Sequence, residues 1–365
     1  MKRAGLLTVI LWLAALTLAG WTLRQLPLAD IGNSLRGLSP LQWIFWAVLN
    51  GVVMTLSTAR WQGFVRMLGD RLALWPLLFN RMAGQTVSFL TPGPQFGGEP
   101  LQIFWLCRRH GVPVHRAVLA LSLDRFFELW VNFAVLLGGV SLLLLTQLVP
   151  EQDWRNTLLL LGLLVLALPL IGVLILRQPE WVVTRLGRVA ARWEQHPRLQ
   201  EFGSRVGTHW QALRQDLQRA VREERTTLFA GLLLSVLGWV FILGELRALL
   251  WFLDVQVATG DFVLLFVGIR LAMLLPLPGG IGTIEAAVLW TFALLDLSAG
   301  DALGLIALMR LRDATILVFG LLSLRAMTTA GGSGPGGSGP GGSEPGGSEP
   351  GGSCAGGSGP AREQS

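Results

Sequence analysis

Pro276-Leu277-Pro278-Gly279-Gly280-Ile281-Gly282-Thr283-Ile284-Glu285 interrupts an apolar stretch that runs from residue 262 to residue 295. Proline lacks a backbone N–H and clashes with the preceding turn, so no continuous helix passes through these residues. The flanks are nevertheless too apolar for a loop in water. A hairpin that enters and leaves a membrane on one face reconciles the two, because irregular backbone is tolerated at that depth only inside protein or beside a wet cavity. A second interruption of the same kind, Thr91-Pro92-Gly93-Pro94-Gln95-Phe96-Gly97-Gly98-Glu99-Pro100, lies in the middle of residues 72–107.

Composition agrees with a membrane setting. Of 365 residues, 52% are hydrophobic and 14% charged, with 45 glycines besides, and the mean hydropathy is +0.55. Soluble domains carry about 25% charged residues, which excludes a water-soluble globule. Two cysteines, Cys107 and Cys354, exclude a disulfide scaffold. The net charge is +6, and of the 29 basic residues Lys2 is the only lysine. No nucleic-acid signature accompanies these arginines, and their position beside apolar stretches suits topology-setting charge against an anionic lipid surface.

About 20 apolar residues cross the hydrocarbon core, and six stretches qualify: 4–21, 41–59, 117–147, 157–176, 227–253 and 302–324. The first could instead be a signal peptide ending near Thr17-Leu18-Ala19. Arg60, Arg66 and Arg71, then Arg108, Arg109 and Arg116, and then ten arginines in 177–226 mark the cytoplasmic side. The opposite connections are acidic (Glu151 and Asp153, Asp254 and Asp261, Asp296 and Asp301), which puts both termini inside.

Residues 41–147 and 227–324 each read as span, re-entrant hairpin, span. Aligning Gly97 with Gly282 brings Glu99 beside Glu285, Arg125 onto Arg310 and Arg60 near Arg247. The hairpins enter from opposite faces, so the expected architecture is an all-α inverted repeat of about six transmembrane helices and two re-entrant hairpins. Paired Gly/Pro-interrupted segments are the best sequence pointer to a transporter site. Half-helix ends and glycine backbone there can receive an anionic group. The candidate substrate-binding residues are Pro92, Gly93, Pro94, Gly97, Gly98 and Glu99 in the first motif, and Pro276, Pro278, Gly279, Gly280, Gly282 and Glu285 in the second. Intramembrane charges complete the set: Asp124, Arg125 and Glu128, Arg270, and Arg310. A charge at the bilayer centre costs about 2.5–3.5 kcal/mol on insertion scales, so such groups are paired and functional as a rule.

With Arg108-Arg109-His110-Gly111-Val112-Pro113 and Asp124-Arg125-Phe126-Phe127-Glu128, these motifs make the chain resemble the lysylphosphatidylglycerol synthase transmembrane region, a flippase-like membrane family, over residues 5–326. The resemblance implies an inner-membrane protein that translocates lipids or lipid-linked molecules, or assists their synthesis. Synthases of this kind follow the membrane region with a soluble catalytic domain, which residues 327–365 do not resemble, so synthase activity is not expected. The alternative within that resemblance is a membrane-embedded enzyme or an accessory subunit acting with lipid-biosynthesis enzymes on hopanoids, aminoacyl-lipids or glycolipids.

The rest of the chain adds little chemistry. Residues 177–226 read as amphipathic helices at the cytoplasmic lipid surface or packed under the bundle. Residues 327–365 hold Gly-Gly-Ser-x-Pro pentads and read as a disordered tail beyond a membrane domain at 1–326. No P-loop, nucleophile elbow, CxxC or HExxH occurs, and the four histidines lack metal-ligand spacing, so no catalytic residue, metal or cofactor is expected. The expected partner is a membrane lipid or polyprenyl-linked lipid, moved by alternating access, with no nucleic acid.

Overall fold

The computed structural model describes residues 37–91, 97–146, 151–177, 215–219, 221–275 and 277–329. The expected first span 4–21, most of segment 177–226, the tail beyond Thr329, and Pro92, Gly93, Pro94 and Pro276 lie outside the described residues. Nine helices of twelve residues or more appear among them: α1 Pro40–Met67, α2 Leu74–Leu90, α3 Glu99–His110, α4 Val114–Leu145, α5 Glu151–Arg177, α6 Arg225–Phe252, α7 Thr259–Ala272, α8 Thr283–Leu294 and α9 Ala299–Thr329. A single 3₁₀ turn, Pro278–Gly280, precedes α8. No strand occurs among the described residues.

Four helices, α1, α4, α5 and α6, are long and apolar enough to cross a membrane. Their outer faces are greasy throughout: Leu159, Leu163 and Leu166 on α5, and Phe229, Leu233 and Val240 on α6, are all exposed. This is a multi-pass membrane protein. Helix α9 has 31 residues, enough at 1.5 Å per residue to span the ~30 Å hydrocarbon core. Arg310, Arg312 and Asp313 in its middle keep it out of the apolar set, and its end at Thr329 carries the helix slightly past the expected boundary at 326. By contrast α3 and α8 have 12 residues each, about 18 Å of helix, which cannot cross the core.

Both interrupted segments fold back. Asn80 Nδ2 of α2 donates to the Gln102 carbonyl of α3 at 3.1 Å, and Gly84 lies against Gly98, so the two helices run antiparallel about the break. Gly268 of α7 likewise faces Thr291 of α8. The two breaks approach one another, for the Phe89 ring at the end of α2 rests on Gly279.

Between the halves, α1 lies antiparallel along α6, with Phe45 beside Phe252, Asn50 bonded to Glu245 and Arg60 bonded to Ser235. Helix α2 packs on α9, and α7 packs on α4. Exchanging the first half for the second maps this set of contacts onto itself. Local signals in the sequence set the ends of the helices. Ser39 and Gln42 form a capping box around Pro40 at the start of α1, and Gly111 closes α3 in the left-handed conformation.

Close approach rather than backbone freedom dictates Gly98. Its φ of −87° suits any residue, but an added Cβ would run into the Gly84 carbonyl oxygen. Gly138 of α4 faces open space. Gly98→Ala is expected to destabilise by about 1–3 kcal/mol through overpacking, whereas Gly138→Ala is expected to be neutral or stabilising by up to about 1 kcal/mol. Thermal unfolding of the detergent-solubilised variants checks this, and equal midpoints would contradict the tight α2–α3 crossing.

Candidate functional site

Helix α4 carries Asp124 and Glu128 one turn apart, and both carboxylates face arginines from other helices. Arg60 Nε of α1 donates to Asp124 Oδ1 at 2.7 Å, and Arg81 Nη1 of α2 donates to Asp124 Oδ2 at 3.0 Å. Glu128 Oε2 lies 3.5 Å from Arg60 Nη2 and 3.7 Å from Arg81 Nη2. Asp124 is fully buried at 0% exposure. Between the two acids in sequence, Arg125 donates to Glu128 at 2.9 Å and lies 3.1 Å from Glu99 Oε1 of α3. The other Glu99 oxygen accepts the Gly97 N–H at 2.7 Å. A carboxylate in the first turn of α3 therefore ties the first break to α4.

The second half repeats this device. Glu285, in the first turn of α8, accepts the Gly282 N–H at 2.7 Å and the Arg310 Nε–H at 2.6 Å. Arg310 also donates to Asp313 at 3.0 Å and to the carbonyls of Gly279 at 3.1 Å and Gly280 at 3.2 Å. Gly282 has φ +86°, where a side chain would be strained. Arg312 bridges Asp313 at 3.2 Å and Glu245 of α6 at 3.3 Å.

Gly97 and Gly282 stand 185 positions apart, and the same shift relates Arg125 to Arg310, Glu128 to Asp313, Asn50 to Ser235 and Arg60 to Glu245. The last pairing corrects the expected match of Arg60 with Arg247. The bonds Arg60–Ser235 at 2.9 Å and Asn50–Glu245 at 3.0 Å exchange under this shift, with the charge reversed. Arg247 is exposed on the outer face of α6. Arg60, expected as a cytoplasmic marker, instead lies inside the bundle at 5% exposure, because α1 continues to Met67.

Not every charge has a like counterpart under this shift. Where the first half has Asp124, the second has Met309. Each half carries an arginine on the leading helix of its folded-back pair, Arg81 on α2 and Arg270 on α7. Arg81 reaches Asp124, but Arg270 has no carboxylate within ion-pair distance among the described residues. Its guanidinium sits over the Trp239 ring at 4.5 Å and near Phe266 at 5.8 Å, and Nη1 touches Met273 sulfur at 3.8 Å. Its other two nitrogens are neither bonded to described protein groups nor sealed from solvent.

Of the residues singled out in the sequence, Gly97, Glu99, Asp124, Arg125 and Glu128 come together in one cluster, and Gly279, Gly280, Gly282, Glu285 and Arg310 in another. Gly98 belongs to the first break and donates to Ser88 at 2.9 Å. Pro278 opens the 3₁₀ turn. Arg81 was not singled out, although an arginine beside Asn80 inside an otherwise apolar stretch is the signal that marks it. The buried Asn80 and Gln102 and the half-buried Gln85 join it, each with a buried, unpaired oxygen in the α2–α3 pair. No group of three potential metal ligands occurs among the described residues.

Removing one partner of a buried charge pair costs about 3–5 kcal/mol. Asp124→Asn, which leaves Arg60 and Arg81 facing one remaining carboxylate, is expected to destabilise by that order, and adding Arg81→Gln is expected to restore part of the loss. Unfolding midpoints in detergent test both, and an unmoved midpoint for Asp124→Asn would contradict a buried cluster.

The profile of a family described as Lysylphosphatidylglycerol synthase TM region matches residues 4–320. Two proteins of Methanothermobacter thermautotrophicus (strain Delta H), each named UPF0104 membrane protein, are similar. One is 25% identical over 287 residues, 74% of this chain and 78% of its own. The other is 22% identical over 302 residues, 79% of this chain and 85% of its own. No solved structure matches the chain. With buried charge clusters at two interrupted helix pairs and a profile match over nearly its whole length, the chain belongs to the lysylphosphatidylglycerol synthase transmembrane-region family.

Proposed function

We propose that the chain moves an anionic amphipathic lipid, or a polyprenyl-linked lipid, between the leaflets of the inner membrane without changing it chemically. In this reading the halves form an inverted repeat, each folded-back pair enters and leaves the membrane on one face, and the faces are opposite. The antiparallel α1–α6 contact and its exchange under the 185-residue shift support this. The lipid phosphate is received at Arg270, beside the break that carries Gly279, Gly280 and Gly282.

The observation that carries the proposal is the contrast among the arginines. Arg125 and Arg310 are matched by Glu99 with Glu128 and by Glu285 with Asp313, so they hold the breaks in place. Arg270 alone among the arginines expected to receive substrate keeps guanidinium nitrogens open to an incoming anion. Aromatic faces stabilise such a cation by about 2 kcal/mol or more when it is desolvated, yet leave its hydrogen-bond donors unused. A phosphate uses them, and Arg is the side chain suited to it.

Reconstituted liposomes with a fluorescent anionic phospholipid test the proposal. Lipid movement is expected for the unaltered chain and is expected to be lost in Arg270→Gln, whose unfolding midpoint is expected to fall by no more than the loss of the cation–π contacts, about 2 kcal/mol. Retention of full activity by Arg270→Gln would overturn the assignment. A chemically altered lipid would show an enzyme instead, and no movement by the unaltered chain would favour an accessory role.

A further inference from the structure

On the outer surface, α1 and α6 leave a groove of about 430 Å³ lined by Phe45, Leu49, Gly244, Arg247, Ala248 and Trp251. Its floor is low because Gly244 has nothing within 4 Å of where a Cβ would stand. Its walls are aromatic and exposed, Trp251 at 61% and Phe45 at 46%. Arg247 is the one charged group among the lining residues. It is exposed and makes no ion pair with any described residue.

Depth fixes what meets this arginine. Helix α6 has 28 residues, about 42 Å, so it overhangs a ~30 Å hydrocarbon core by about 6 Å at each end. Arg247 stands five residues before the last residue of α6, Phe252, about 8 Å in from that end. With α6 centred in the core, this guanidinium comes near the boundary between acyl chains and headgroups, a depth that Trp251 also suits.

We propose that this groove binds a membrane glycerophospholipid with an anionic headgroup, one acyl chain lying over Gly244 and Ala248 and the phosphodiester on Arg247. A second copy of this chain is a poorer occupant, since the lining residues present one cation and a dished apolar surface. A zwitterionic headgroup is disfavoured as well, because no carboxylate lines the groove to meet its ammonium. The proposal does not depend on lipid transport, as neither Gly244 nor Arg247 belongs to the charge clusters.

Native mass spectrometry of the detergent-solubilised full chain, titrated with phosphatidylglycerol or phosphatidylcholine, tests it. One phosphatidylglycerol adduct is expected to weaken about tenfold in Arg247→Gln, the scale of one charged hydrogen-bonded contact. Gly244→Leu, whose Cβ has open space and whose side chain enters the groove, is expected to weaken the same adduct. Arg66→Gln, an exposed arginine at the other end of α1, and Arg270→Gln are expected to leave it in place, and lipid movement in liposomes is expected to be unchanged in Arg247→Gln. Equal binding of the two lipids would overturn the proposal. So would an equal loss in Arg66→Gln, or a change from dimer to monomer in Gly244→Leu with no lipid adduct affected.

Discussion

A charge inside a membrane protein has to meet an opposite charge, because neither lipid nor a packed interior solvates it. That constraint organises this bundle. Asp124 and Glu128 on α4 draw Arg60 from α1 and Arg81 from α2 into one cluster, and Glu99 joins α3 to it through Arg125. In the other half Arg310 and Arg312 of α9 hold Glu285 of α8 and Glu245 of α6. Lipid offers helices no hydrophobic gain on association, so these bonds, with the close packing around them, set which helix meets which and in what register.

The interrupted segments depend on the same pairs. A short helix that begins at a break exposes backbone N–H groups, and here the first-turn glutamates accept them: Glu99 from Gly97 and Glu285 from Gly282. Each glutamate then holds an arginine on the long helix behind it. A break stabilised in this way keeps its shape, and its glycines admit close neighbours, the Phe89 ring at Gly279 and the Gly84 carbonyl at Gly98. Small residues extend the arrangement, since Gly320 of α9 lets Thr86 and the Met82 carbonyl of α2 come close. The two halves differ where Met309 stands in place of Asp124. Inside the second half, Arg270 lies against aromatic rings rather than a carboxylate.

Much of this was legible in the residues. Prolines and glycines clustered within a few residues break a helix where the lone Pro169 inside α5 does not, so both interruptions could be placed from sequence alone. Glu99 with Arg125 and Glu285 with Arg310 were also legible, because a spacing of 28 from each motif glycine to its arginine recurs. Arg60 was misread, since an arginine near the end of an apolar run looks like a topology marker until the helix is seen to continue to Met67. Its counterpart was misread for a related reason. A match of like charges favoured Arg247, whereas the bundle pairs positions and permits the sign to reverse, placing Glu245 there. Arg81 is marked locally only as a polar residue beside Asn80 in an apolar stretch, and its carboxylate partner 43 residues away is set by packing.

By itself the sequence determined that the chain is a helical membrane protein with two broken segments and ionisable groups inside its apolar stretches. Hydropathy, helix breaking and the cost of a buried charge are local properties, and each is written in consecutive residues. Only the tertiary structure decided which charges are satisfied. Whether a guanidinium is matched depends on carboxylates contributed by helices distant in sequence, and a bond of about 3 Å between them is fixed by packing rather than by spacing along the chain.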